Sequence, residues 1–306
     1  MTKKEFCAPS SDKKHTLRGV VYIPDTAPKG FFHIVHGMTE HIGRYDKIMT
    51  ALAEEGYIAF GYDNLGHGKT ADCDCELGYI AKKEGWRMLC RDVGEFSSSV
   101  IKQYDTEKKL PYYLMGHSMG SFIVRLASLC DVRPDKLIIM GTSGSNPAAS
   151  AGLAVISVIK LIFGDRHISP LLENIAFGSY NNRFKEENDE KSWLSCDKSV
   201  RERYCQDKYC TFKFTSSAMG DLVGMIKKSN SKKWYDDIDK KMPILLLSGE
   251  NDPVGNYGNG VREVYERLKK QGACAECKLY PGARHEILND FTYDDVKRDI
   301  LEFIKK

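Results

Sequence analysis

Along the chain, short continuous apolar runs alternate with longer stretches whose apolar positions recur at i, i+3 and i+4. The short runs, at residues 16–23, 31–35, 57–62, 112–115, 137–140, 244–247 and 277–280, predict strands. The continuous ones suit strands covered on both faces. The periodic stretches, at 45–55, 86–104, 118–130, 261–271 and 293–304, predict helices, with Val93, Phe96, Val100 and Ile101 showing the spacing. Strand and helix in alternation predict an α/β fold, a mostly parallel sheet flanked by helices. The rhythm stops at Thr142 and resumes at Pro243. Because the strands on either side read as neighbours in one sheet, residues 143–239 are predicted to be an inserted cap, with 1–142 and 240–306 as the sheet domain. Within the cap, the run from Gly152 to Phe163 is apolar all round, so it must bury both faces or meet lipid. Its aromatic residues, Trp193, Tyr204 and Phe214 among them, read as the core of the cap.

Length agrees with an insertion: 306 residues exceed what one core ordinarily serves, roughly 250–300. Charge adds an exclusion. The balance of 45 Lys and Arg against 42 Asp and Glu is +3 and is spread along the chain, so no nucleic-acid partner is expected. No apolar stretch follows Met1-Thr2-Lys3-Lys4, and the expected location is cytoplasmic. The ten cysteines are scattered and predict reduced thiols. Cys274-Ala-Glu-Cys277 lacks the second ligand pair of a zinc finger, so neither a metal nor a cofactor is expected.

Candidate chemistry centres on Gly116-His117-Ser118-Met119-Gly120, which matches G-x-S-x-G between a predicted strand and a predicted helix. Flanking glycines remove the Cβ atoms that would collide in so tight a turn and leave the serine oxygen exposed above the sheet edge. A serine hydroxyl needs a base, and the base an orienting acid. In the fold that uses this elbow they follow in the order serine, acid, histidine. Six of the eight histidines lie at or before the elbow, leaving His167 and His285. His167 sits inside the insertion, with Asp131, Asp135 and Asp165 before it and none directly after a predicted strand. His285 follows the last strand run and is the predicted base. Asp252, in Gly249-Glu250-Asn251-Asp252-Pro253, is the predicted acid, favoured over Glu250 by its place in the fixed part of the turn. The backbone N–H groups of Met119 and of Met38, after His36-Gly37, are the predicted oxyanion donors.

These residues together resemble the α/β-hydrolase superfamily and, within it, the monoacylglycerol lipase and lysophospholipase group of serine aminopeptidase-like hydrolases. The likeness rests on His36-Gly37-Met38-Thr39-Glu40-His41-Ile42-Gly43-Arg44-Tyr45, on Asp63-Asn64-Leu65-Gly66-His67-Gly68, on the elbow, and on the segments around Asp252 and His285. Its most specific part is Glu40-His41-x-x-Arg44-Tyr45. The resemblance implies a Ser118, Asp252, His285 triad, an oxyanion hole from Met38 and Met119, and a helical cap over an acyl-binding tunnel. It implies a small-molecule acyl ester with a hydrophobic chain as substrate, a monoacylglycerol or a lysophospholipid, and transient membrane-surface contact through the cap. Lys69-Thr70 and Cys73-Asp-Cys75 depart from the family pattern and bear on substrate preference. Competing readings are a short-chain or aromatic-acid esterase, a thioesterase, an aminopeptidase, and a non-catalytic binding protein of the same fold.

Overall fold

Eight strands form one sheet in the computed structural model, which describes residues 1–306 apart from Thr106, Lys108 and Asp131. In chain order the elements are β1 (Thr2–Pro9), β2 (Thr16–Ile23), β3 (Phe31–Val35), α1 (Asp46–Glu54), β4 (Ile58–Tyr62), α2 (Gly85–Tyr104), β5 (Tyr112–His117), α3 (Met119–Ala127) and β6 (Lys136–Met140). Then come α4 (Ala149–Phe163), α5 (Pro170–Phe177), α6 (Lys198–Gln206), α7 (Ser216–Ser229), α8 (Lys232–Asp237), β7 (Ile244–Gly249), α9 (Asn259–Lys270), β8 (Ala275–Tyr280) and α10 (Tyr293–Lys305). The sheet order is β1-β2-β4-β3-β5-β6-β7-β8. All pairs from β4 to β8 are parallel, while β1 and β2 add an antiparallel hairpin at one edge.

The predicted α/β architecture is therefore present, with one strand more than the hydrophobic pattern showed. β1 is almost wholly exposed and rich in lysine, so it carries no apolar run. The central strands β3, β4 and β5 are buried at every position, as two-sided coverage requires. One apolar layer joins the sheet to α2, α3, α7 and α9, including Phe96, Phe122 and Val264. The other joins it to α1 and α10, including Leu52 and Ile300. Burying each such side chain contributes about 1.5–3 kcal/mol.

Residues 143–239, irregular in pattern, hold five α-helices. α4 and α7 pack together, and α7 also packs on α2 and α3, so the end of the segment joins the helical layer of the sheet. Arg125 of α3, fully buried, ties both ends of the segment down. Its guanidinium donates to the Ser143 carbonyl at 3.5 Å, the Ser229 carbonyl at 2.5 Å and Asn230 Oδ1 at 3.1 Å, and lies 4.3 Å from the Trp234 ring. The apolar run of α4 does not bury both faces. Leu161, Ile162 and Phe163 are 87%, 65% and 62% exposed, and Leu171 and Ile175 of α5 extend the exposed apolar surface. No helix among the described residues is long and apolar enough to cross a membrane. The expectation of ten reduced thiols is corrected at one place: Cys73 and Cys75 form a disulfide in the loop before α2, while the other eight cysteines are free.

Candidate active site

The predicted nucleophile sits where β5 turns into α3. Ser118 has φ 53° and ψ −119°, a conformation that side chains rarely adopt and that marks a strained turn. The neighbours explain how the chain tolerates it. A Cβ on Gly116 would stand 2.2 Å from the Gly120 carbonyl, and one on Gly120 would stand 2.1 Å from the Val35 carbonyl. Both positions require glycine. The Ser118 N–H is held by the Met140 carbonyl of β6 at 2.9 Å.

Asp252 and His285 arrive from the ends of β7 and β8. His285 Nδ1 lies 2.9 Å from Asp252 Oδ2, with Asp252 0% and His285 3% exposed. The other Asp252 oxygen accepts the Val254 N–H at 2.9 Å, which fixes the carboxylate plane. Glu250, by contrast, is partly exposed and faces Arg262. The His285 ring lies beside the elbow, its centroid 4.7 Å from that of His117 and 5.3 Å from that of Trp193 of the 143–239 segment. His167 is elsewhere, stacked on Phe163 of α4. Asp131 falls outside the described residues, and Asp165 bonds Tyr79.

The Met38 and Met119 N–H groups have no acceptor among the described residues. Met119 follows the serine directly, and Met38 follows Gly37. A Cβ on Gly37 would come 2.9 Å from Ser118 Cβ, which places the loop before Met38 directly against the nucleophile. Met119 opens α3, where the first N–H groups lack intrahelical partners.

Beneath this surface lies a charged network, legible in the sequence only as the Glu40-His41-x-x-Arg44-Tyr45 string. Glu40 Oε1 accepts the Gly37 N–H at 2.5 Å and the Tyr45 hydroxyl at 2.9 Å, and lies 3.2 Å from His117 Nδ1. Arg44 forks onto Glu286 with two bonds of 2.6 Å and reaches Glu40 at 3.0 Å. Burial alone would raise the Glu40 carboxyl; the His117 hydrogen bond and the Arg44 charge instead hold it well below the usual carboxylate range. His117 Nδ1 lies 2.9 Å from the Tyr45 hydroxyl and 3.2 Å from Glu40, while Nε2 faces the His285 carbonyl at 3.2 Å. Burial would lower the His117 pKa, but the hydrogen bond and charge of Glu40 raise it. The network joins the Gly37 loop, the elbow and the His285 loop. It escaped sequence reasoning because Glu40, His117 and Glu286 lie in three distant segments.

A parallel sheet, a strained serine elbow, and an Asp–His pair on the following strand ends define an α/β-hydrolase. The chain belongs to the family described as serine aminopeptidase, S33, which it matches over residues 26–292. Among curated relatives, it is 25% identical over 307 residues to a monoacylglycerol lipase of Mycolicibacterium smegmatis, covering 96% of this chain and 98% of that one. It is 26% identical over 274 residues to a monoglyceride lipase of Rattus norvegicus, covering 86% and 77%. Among solved structures, a thermostable carboxyl esterase from Bacillus coagulans in complex with glycerol superposes with a TM-score of 0.93 at 29% identity, covering 100% and 98%. The protein is an enzyme of the carboxylic ester hydrolase class.

Proposed function

We propose that the protein hydrolyses acyl esters bearing a hydrophobic chain, a monoacylglycerol or a lysophospholipid, through an acyl-enzyme formed on Ser118. The observation that carries the reading is the buried 2.9 Å bond between Asp252 and His285 beside a serine held in a strained elbow. Ser118 Oγ attacks the ester carbonyl while His285 Nε2 takes its proton. Asp252 holds the imidazole tautomer by accepting from Nδ1–H. The Met38 and Met119 N–H groups receive the developing oxyanion. His285 then gives its proton to the departing alcohol, and water repeats the sequence to release the fatty acid.

Residues 143–239 serve as the cap over 1–142 and 240–306 in this reading. The exposed apolar residues of α4 and α5 suit a surface that rests against lipid, where such a chain is presented. Relatives named as monoacylglycerol lipases support the lipid substrate. A second reading, an esterase of shorter or aromatic acyl chains, is favoured by the likeness to the Bacillus coagulans carboxyl esterase. Turnover of glycerol, choline and aryl esters over a series of acyl lengths separates the two. Rates rising toward medium and long chains are expected, whereas rates falling steadily from acetate would select the second reading. A fluorophosphonate probe should label the native enzyme and not Ser118→Ala; equal labelling of both would refute Ser118 as nucleophile.

A further inference from the structure

Three side chains of different chemistry meet where the segment after α6 touches the loop after β3. They are the His41 imidazole, the Asp207 carboxylate and the Cys210 thiol, and one ligand atom from each lies within 4.8 Å of the other two. His41 Nε2 is 2.8 Å from Asp207 Oδ2, and the other Asp207 oxygen is fixed by the Tyr209 N–H at 2.8 Å. The thiol is buried at 2% exposure. The imidazole and carboxylate side chains are 20% and 33% exposed. A solute therefore reaches the thiol past the other two groups.

The surroundings favour a cation. Four charged groups bear on the Cys210 thiol: Arg44, Asp207, Glu40 and Glu286, one positive and three negative. Arg44 is itself engaged by both glutamates. Lys208, next in sequence to Asp207, turns away to Asp74 at 3.2 Å. One nitrogen, one oxygen and one sulfur donor suit a zinc-class ion; calcium and magnesium take oxygen. Three protein ligands leave a fourth tetrahedral position for water.

We propose that His41, Asp207 and Cys210 bind a zinc-class divalent cation that fastens the segment after α6 to the loop carrying Met38. Binding breaks the His41–Asp207 hydrogen bond, moves the imidazole proton from Nε2 to Nδ1, replaces the bond with metal–nitrogen and metal–oxygen bonds, and releases the thiol proton to solvent as the metal–sulfur bond forms. The same loop is gripped a few residues earlier, where Tyr204 of α6 bonds the Thr39 carbonyl at 2.8 Å and its Oγ1 at 2.8 Å. Thr39 has φ 49°, a left-handed conformation that needs such support. Tyr204 and the metal thus hold the two ends of one short loop.

The test reads metal binding, so it stands whether or not the enzyme acts on acyl esters. Full-length protein stripped with chelator is titrated with cobalt(II), followed by the thiolate-to-cobalt charge-transfer band. One equivalent should develop the band in the native protein and in Cys205→Ser, and none in Cys210→Ser. His41→Ala should weaken cobalt binding by at least about 10–100-fold, the loss typical of removing even an outer-shell partner. Zinc should raise the thermal midpoint of the native protein and not that of Cys210→Ser. A native protein without the band, or a band unchanged in Cys210→Ser or His41→Ala, overturns the proposal. If circular dichroism shows Cys210→Ser unfolded, His41→Ala, altered at a partly exposed side chain, decides.

Discussion

Replacing Gly37 by alanine tests how closely the loop before Met38 must approach the serine. Gly37 does not have a left-handed φ, so alanine meets no backbone penalty and the effect is purely one of space. The new methyl would stand 2.9 Å from Ser118 Cβ and 2.7 Å from Glu40 Oε1. Carbon atoms rest at about 3.5–4.0 Å, so the loop must withdraw from the nucleophile by roughly 0.6 Å or more. Glu40 cannot simply give way, since it also holds the Gly37 N–H, Tyr45 and Arg44. Misplacement by about 1 Å costs on the order of 100-fold in rate, and complete loss of one oxyanion donor costs about 100–1,000-fold. The expected result is a kcat lowered about 10–100-fold with KM little changed. Initial rates on a soluble aryl ester, with urea unfolding in parallel, measure both activity and stability. Gly152→Ala is the control: nothing lies within 4 Å of its added methyl, and in α4 it should stabilise by about 0.5–1 kcal/mol. A Gly37→Ala enzyme with native kcat would refute the assignment of the Met38 N–H as an oxyanion donor.

Acid stability should bear the mark of His33 and His67, whose pKa values burial depresses to about 3. The unfolded chain takes up these protons near the ordinary imidazole value while the native state stays neutral. Stability therefore falls as the pH drops from about 6.5 toward 3, by up to ~1.4 kcal/mol per pH unit per histidine. In His33→Asn the packing loss is independent of pH, so urea unfolding across that window should give a shallower slope; an unchanged slope would remove His33 from the account. Arg125→Met leaves the Ser229 carbonyl without its donor, for an expected loss of about 1–3 kcal/mol for the orphaned group. Calorimetry showing native stability would mean that relief from burying the charge offsets that bond. Changing Leu161 and Phe163 together to serine should weaken binding to lipid vesicles and leave hydrolysis of soluble esters intact. Equal loss on both substrates would show that these residues serve the site and not a lipid surface.

The sheet and the nucleophile's setting were legible because their signals are local. Buried parallel strands write themselves as apolar runs, and the elbow needs its two glycines within five residues. Asp252 and His285 were reached through chain order, a constraint of topology that lets distant residues be paired without coordinates. Other features left no such trace. β1 is an exposed edge strand held by backbone pairing to β2, so its side chains did not need to be apolar. The five α-helices of residues 143–239 owe their packing to long-range contacts, and their apolar positions face solvent as well as core. The Glu40–His117 contact and the His41, Asp207 and Cys210 cluster each join segments far apart in sequence, where spacing says nothing. The Cys73–Cys75 disulfide was adjacent in sequence, yet two close cysteines do not announce their oxidation state.

Arg125 has a consequence for how such a protein can change. The chain leaves β6 and returns toward β7 within reach of one guanidinium, and Asn230 closes the neck by donating to the Ser143 and Gly144 carbonyls at 3.2 and 3.0 Å. What lies between is a loop pinned at its throat. Lengthening a flexible loop is inexpensive, about 0.6 kcal/mol for each doubling. Residues between the two anchors can therefore be added, lost or exchanged while β6 and β7 keep their register. A buried arginine turns the stretch between its anchors into a replaceable part.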